Sequence, residues 1–269
     1  MKLPILLPLA CAFLTGLPLQ AASLTGLWKF DNSGSLGQAT VGTDLSFTGA
    51  APGTWSASLV DDHGASLSGV ITTAPAAFGN QIIASHGIAP NGGGVYVNEY
   101  TIVLDLFSPA GSRNSWRTIY QTNTGNSNDG DYFIDPATDV VGVGAMGYSA
   151  ASMDETSWTR LVVTFNLESG PSDIRTYMNG TLFNVHNVPT GGLDGRFSLD
   201  PTVLFVSDND GDNAPLNVGA IAIYDGALTA GEVAALGVAG APIPVPEPSG
   251  VALAWVGLAA VRGVRRRRR

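Results

Sequence analysis

The sequence predicts an all-β fold, two antiparallel sheets stacked as a sandwich, with one short helix near the C-terminus. Three observations lead there. Short runs of apolar, β-branched and aromatic residues recur about a dozen times, separated by clusters of turn-forming residues. Glycine and proline are abundant, 34 and 16 among 269 residues, which suits many turns and argues against a helical bundle. Only one stretch has both the period and the end signals of a helix.

Leu24–Phe30 sets Trp28 and Phe30 on one face before the turn residues of Asp31–Gly37. Leu45–Phe47 and Trp55–Leu59 are shorter candidates. Asp61–Gly94 is rich in Gly, Ala, Ser and Pro and reads as loops with an edge strand; within it, Asn91-Gly-Gly-Gly94 reads as a flexible turn, without the lysine of a phosphate-binding loop. Nearly every residue of Tyr100–Phe107 is apolar or β-favouring, as in a strand covered on both faces. Asn114–Thr122, Tyr132–Ile134 and Val140–Met146 follow, and in Trp158–Phe165 the residues Leu161, Val163 and Phe165 share a face.

Ile174–Met178 and Thr181–Val185 flank Asn179-Gly180, a pair that readily takes the positive φ angles of a two-residue type I′ turn. That predicts a hairpin. Val203–Val206 and Val218–Tyr224 end the strand series. Thr229-Ala-Gly-Glu232 then has capping-box spacing; with Val233, Leu236 and a stop at Gly237 it predicts a helix of about two turns.

Charge is distributed unevenly. Of 13 Lys and Arg residues, Lys2 and six tail arginines lie outside residues 23–245, whereas of 22 Asp and Glu residues only Glu247 does. The central region therefore carries about −15 against −9 for the whole chain, which keeps it soluble and repels nucleic acid and anionic membranes. The single cysteine, Cys11, precedes that region, so disulfides and thiolate-bound metals are excluded from it.

Both termini read as addresses. Residues 1–22 carry Lys2, an apolar stretch from Leu3 to Leu19 and a small-residue cleavage site after Ala21 or Ala22, the pattern of a signal peptide. Pro4, Pro8, Gly16 and Pro18 weaken the alternative of a retained transmembrane helix. Residues 238–245 read as a Gly/Ala/Pro linker, after which the chain ends in Pro246-Glu247-Pro248, an apolar run and five consecutive arginines. Gly250–Val261 would make a helix only about 18 Å long, against a hydrocarbon core of about 30 Å. The arginines would hold the C-terminus in the cytoplasm. Such a short span suits a temporary anchor better than a permanent one.

Two resemblances extend this reading. Trp158–Phe165, Ile174–Phe183 with Tyr177-Met-Asn-Gly180, and Val218–Leu236 together resemble laminin-G-like, concanavalin A-like domains. The resemblance spans about 24–237 and implies a jelly-roll sandwich of a kind often used to bind glycans or other extracellular components. Catalytic relatives carry Glu-x-Asp-x-x-Glu on one strand, because retaining hydrolysis needs two carboxylates about 5 Å apart and alternate strand positions aim both into the cleft. That motif is absent, and Glu99, Glu155, Glu168 and Glu232 stand alone in sequence, so no enzyme is expected.

Residues 246–269 resemble the PEP-CTERM sorting signal of Gram-negative bacteria. That implies export, a transient inner-membrane anchor, cleavage by an exosortase-type enzyme and release to the cell surface, in company with exopolysaccharide or biofilm production.

Candidate sites are few. Asp208, Asp210 and Asp212 alternate as the first ligands of a Ca²⁺ loop do, but Gly219 stands where an EF-hand needs glutamate. The stretch reads either as a solvated acidic turn or as half of a Ca²⁺ site at a sandwich rim, of the kind the laminin-G resemblance implies, with Asp129 and Asp131 as the other half. His63, His86 and His186 lack ligand spacing and read as surface or core residues. Trp55, Trp116 and Trp158 are candidates to stack on sugar rings; Trp28 and Trp158 fit apolar strands, and Trp116, beside Arg113 and Arg117, reads as the exposed platform. The expected function is a non-catalytic extracellular binding module for polysaccharide or another surface component. The alternatives are a structural matrix protein without a ligand pocket and, more remotely, a glycan hydrolase or lyase.

Overall fold

A computed structural model of the chain describes residues 22–49, 52–74, 80–125, 130–168, 173–187, 192–209 and 211–244. In chain order the strands are β1 (Leu24–Trp28), β2 (Ser46–Thr48), β3 (Gly53–Val60), β4 (Ser66–Thr73), β5 (Gln81–Ser85), β6 (Glu99–Phe107), β7 (Arg117–Gln121) and β8 (Asp131–Ile134). They continue with β9 (Val141–Val143), β10 (Gly147–Tyr148), β11 (Thr159–Asn166), β12 (Asp173–Met178), β13 (Thr181–Asn187), β14 (Thr202–Phe205) and β15 (Asn217–Tyr224), before helix α1 (Ala230–Leu236).

The strands form two antiparallel sheets. The larger runs β13-β12-β11-β6-β15-β4-β3, with β1 also paired to β15, and the smaller runs β10-β9-β8-β7-β14-β5-β2. Pairing of strands far apart in sequence, such as β6 with β15 and β7 with β14, makes this the predicted jelly-roll sandwich. Ile102, Leu104, Val163, Phe165 and Ile221 of one inner face meet Ile119, Tyr132, Ile134, Val203 and Phe205 of the other in one core. Phe165 joins the layers: it stacks on Tyr100 of its own sheet at 4.2 Å and meets Tyr120 of the facing sheet edge-on at 5.6 Å.

The local signals act as read. Asn179 and Gly180 have φ of 49° and 80°, the turn that lets β12 fold back onto β13. Thr229 accepts from the Glu232 amide while the Glu232 carboxylate accepts from the Thr229 amide, closing the capping box of α1. The main departure is in residues 61–94, where β4 is a full eight-residue strand. It pairs along its length with the edge strand β3 and begins with exposed serines; Val70 and Ile71 are its only buried large apolar residues, so its apolar signal is short.

The outer face of the larger sheet is covered as well. Val233 and Leu236 of α1 pack with Leu24, Val103, Val162, Tyr177, Ala222 and Tyr224 in a second apolar cluster that also takes in Ile243. Beneath this cover, Arg160 on β11 faces Asp105 on β6. Its Nε and Nη2 donate to the two carboxylate oxygens, both at 2.7 Å, while Nη1 and Nη2 also reach the carbonyls of Leu236 and Ala241. The Gly240 amide donates to Asp105 as well. The stretch after α1, expected as a linker from residue 238, is therefore packed on the sheet through Ile243. A Gly/Ala/Pro composition reads as loose, but here small residues let backbone groups approach the ion pair closely.

Polar groups also cross the interior near one edge. Thr176 Oγ1 lies 2.5 Å from Tyr132 Oη and 2.9 Å from His186 Nε2, and the other ring nitrogen of His186 lies 3.2 Å from the Gly147 carbonyl. His186 is thus a core residue. Its burial lowers its pKa to about 4.

Both the ion pair and the buried imidazole have measurable consequences. Arg160→Met leaves Asp105 charged and unpaired, and should cost about 3–5 kcal/mol in denaturant unfolding. The double variant Arg160→Met, Asp105→Leu should recover most of that loss; a single-variant loss below about 1 kcal/mol would remove the pair from the account of stability. For His186, the unfolded chain takes a proton near pH 6.5 and the folded chain only near 4. Stability is thus complete above pH 6.5 and falls by up to about 3 kcal/mol as the pH drops toward 4. His186→Gln should reduce the fall of the melting temperature across that window, leaving the contributions of His86 and of the shifted carboxylates.

Candidate ligand-binding site on the smaller sheet

The outer side of the smaller sheet is only partly open: all of β7 and Phe133 of β8 are buried, while Trp116, just before β7, keeps part of its surface. Tyr132 and Ile134 of β8 enter the core, so alternation turns Asp131 and Phe133 outward. Trp116, just before β7, lies edge-on to Phe133, with ring centroids 5.7 Å apart. It is half-buried.

The acidic stretch runs back alongside β7. Val206 N donates to the Ile119 carbonyl, Thr118 Oγ1 to the Asp212 carbonyl at 2.6 Å, and Ala214 N to the Trp116 carbonyl at 2.8 Å. Trp116 and Asp212, far apart in sequence, thereby share the walls of an open groove of about 450 Å³, completed by Gly111, Ser115, Asn213 and Pro215. Asn213 is buried, and its Oδ1 has no hydrogen-bond partner among the described residues. It also lines a void of about 10 Å³, about enough for one water.

At the other end of β7 the amides and carboxylates gather. Gln121 sits opposite Asp131 in the β7–β8 ladder, and its Nε2 donates to Asn209 Oδ1 at 3.2 Å. The structure thus brings Asp131 and the acidic stretch to the same end of the sheet with Gln121 between them. Asp208 is buried and Asp212 exposed. Asp129 and Asp210 lie outside the described residues, as do Pro246, Glu247 and Pro248. Among the described residues no three His, Cys, Asp or Glu side chains converge as a metal cage. No helix among them is long and apolar enough to cross a membrane.

The neighbours expected beside Trp116 behave otherwise. Arg117 is fully buried and binds Ser108, Asp139 and Glu155 beneath the sheet, while Arg113 pairs with Asp62 at 2.7 Å. Trp28 and Trp158 are core residues, as read from their strands, and Trp55 is half-buried with its indole N–H on the Phe30 carbonyl.

Sequence reasoning missed two clusters. Glu99 and Glu168, apparently isolated, come close enough that burial, with Glu168 beside it, raises the Glu99 pKa. They lie under the turn at residues 91–94, where Gly92 and Gly93 leave room for them. The turn is clamped. The Asp194 carboxylate accepts from the Val95 and Tyr96 amides and from Asn98 Nδ2, all within 3.0 Å, and these bonds lower its pKa. A Cβ on Gly94 would stand 2.2 Å from Asp194 Oδ1, so the turn needs glycine for that approach. The run of three glycines was the available signal; its partner lies a hundred residues away.

No protein-family model matches the chain, and no curated protein matches it. Solved structures match in fold. The binding domain of botulinum neurotoxin DC, in complex with rat synaptotagmin II, gives a TM-score of 0.55 at 15% identity over 80% of this chain and 51% of that one. The receptor binding domain of botulinum neurotoxin D gives 0.51 at 15% identity over 80% and 52%. Domain 4 of AbnA, a GH43 extracellular arabinanase from Geobacillus stearothermophilus in complex with arabinotriose, is covered over 100% of its length and 81% of this chain, at 18% identity and a TM-score of 0.48. The chain spans about half the length of the toxin domains it matches. At these identities the toxin matches establish a shared all-β jelly-roll fold.

Proposed function

We propose that the chain is an exported, non-catalytic binding module whose Trp116 groove holds an extracellular polysaccharide or another surface glycan. The observation that carries this reading is the half-exposed indole, braced edge-on by Phe133 and facing an acidic wall at Asp212. Sugars present an apolar C–H face and a rim of hydroxyls, so an aromatic plate beside hydrogen-bond acceptors matches both. The acidic surface disfavours polyanions and nucleic acid. A botulinum type C toxin whose cell entry depends on two ganglioside molecules has the same fold over half its length, which supports a binding role in kind.

Delivery belongs to the same proposal: residues 1–22 direct export, residues 246–269 provide a transient inner-membrane anchor, and an exosortase-type enzyme cuts near Pro246-Glu247-Pro248 to leave the module at the cell surface of a Gram-negative bacterium. Calcium enters only through Asp129 and Asp210 completing what Asp131, Asp208 and Asp212 begin.

A glycan array probed with the chain, with and without EDTA, tests this. Binding that Trp116→Ala weakens at least tenfold, about 1.4 kcal/mol, supports the groove. Loss in EDTA supports calcium. The absence of binding to any glycan would instead favour a structural matrix protein. Release of reducing ends would establish hydrolysis, with Glu99 and Glu168 the first pair to substitute.

A further inference from the structure

A second pocket, of about 200 Å³, opens where the loops before β6, after β7 and before β14 meet, and it is lined by Tyr96, Asn123, Asp194, Arg196, Ser198 and Asp200. It differs from the Trp116 groove in place and in composition. Asn123 is seven residues from Trp116 along β7, so the two sites are separated by up to about 23 Å of strand.

The lining is polar apart from Tyr96, which is 43% exposed; Val95, next to Tyr96 in sequence, is 72% exposed, and Leu193, next to Asp194, 46%. They are held in place. Asn91 accepts the Asn98 and Glu99 amides on its Oδ1 and donates to the Glu99 and Asp225 carbonyls; Asn98 Oδ1 takes the Asp194 amide and the Ser198 hydroxyl; Asp194 clamps Val95 and Tyr96. Asn98 is fully buried. A buried, satisfied network of this kind fixes the loop before any ligand arrives, so little conformational entropy is lost on binding.

We infer that this pocket is a second carbohydrate subsite, taking one ring of a neutral saccharide, with the Tyr96 ring against its C–H face. Asp200, Asn123 and Ser198 would meet its hydroxyls, and Arg196 would add a donor fork. The inference rests on the carbohydrate reading above for ligand class but not for location. The chemistry favours a neutral sugar: two carboxylates beside a single guanidinium disfavour an anionic ligand. A bare cation is poorly served, because the Asp194 oxygens are already engaged by three donors and only Asp200 is left.

The test is calorimetric titration of the whole chain with neutral arabino-, xylo- and gluco-oligosaccharides of two to six units. Two short oligosaccharides should bind per chain. Tyr96→Ala and Asp200→Asn should each weaken one of the two sites at least tenfold and leave the other unchanged, whereas Trp116→Ala should do the reverse. If Trp116→Ala abolishes all binding while Tyr96→Ala changes nothing, the second subsite is overturned and the groove stands. If Tyr96→Ala alone removes binding, the second subsite stands and the groove falls. If no oligosaccharide in the series binds, both fall. Asp194→Ala should weaken the Tyr96 site through the loop and speed amide exchange at Val95 and Tyr96. Unchanged exchange would remove the clamp from the argument.

Discussion

Arg160 and Asp105 face each other on the central strands of the larger sheet, where the outer face of a sandwich would ordinarily meet water. Burying two ions costs several kcal/mol each, and it is tolerated here because the guanidinium fork matches the carboxylate and its remaining protons find the carbonyls of Leu236 and Ala241. Those carbonyls belong to the end of α1 and the turn after it, so the pair sets where the C-terminal segment must lie. Once Leu236 and Ile243 are drawn down, Val103, Val162 and Tyr177 are covered as well. The middle of the larger sheet is then covered on its outer side by residues 230–243, and the two grooves lie on the smaller sheet and the loops at its ends.

That division of labour explains what the sequence could show. Periodicity reports burial, so the strands covered on both faces, β6, β11 and β15, stood out, while β4, apolar over only part of its length, did not. Local chemistry was readable wherever it closes within a few residues, as at Asn179-Gly180 and Thr229–Glu232. Arg160 and Arg117 carried no such signal. Each is a cation in an apolar or β-favouring run, and only the approach of Asp105 or Glu155 in space makes it a core residue.

The site was legible in its parts but not in its assembly. Trp116 could be singled out as the tryptophan beside two arginines, and Asp212 as one of an alternating acidic set, but their meeting in one groove depends on β7 and the irregular segment after β14 running side by side. The clamp on Tyr96 is less legible still. Asn91, Asn98 and Asp194 are ordinary loop residues in sequence, and the triple glycine reads as freedom of motion until the Asp194 carboxylate is seen to occupy the space a Cβ would take. Glycine there serves close approach rather than flexibility.

The two ends of the described domain bear on how such a module would present itself. Ser23 exchanges hydrogen bonds with Asp225, Leu24 and Leu27 pair along β15, and Ala22 packs against the same outer cluster that receives Ile243. Entry and exit of the chain therefore share one face, the outer face of the larger sheet. The Trp116–Phe133 platform lies on the outer face of the smaller sheet, across the full thickness of the core. The Trp116 groove thus lies on the side of the core opposite to where the described chain enters and leaves. The same geometry makes the Arg160 pair more than a source of stability: by fixing residues 236–241 against the larger sheet, it fixes where the described chain leaves the fold.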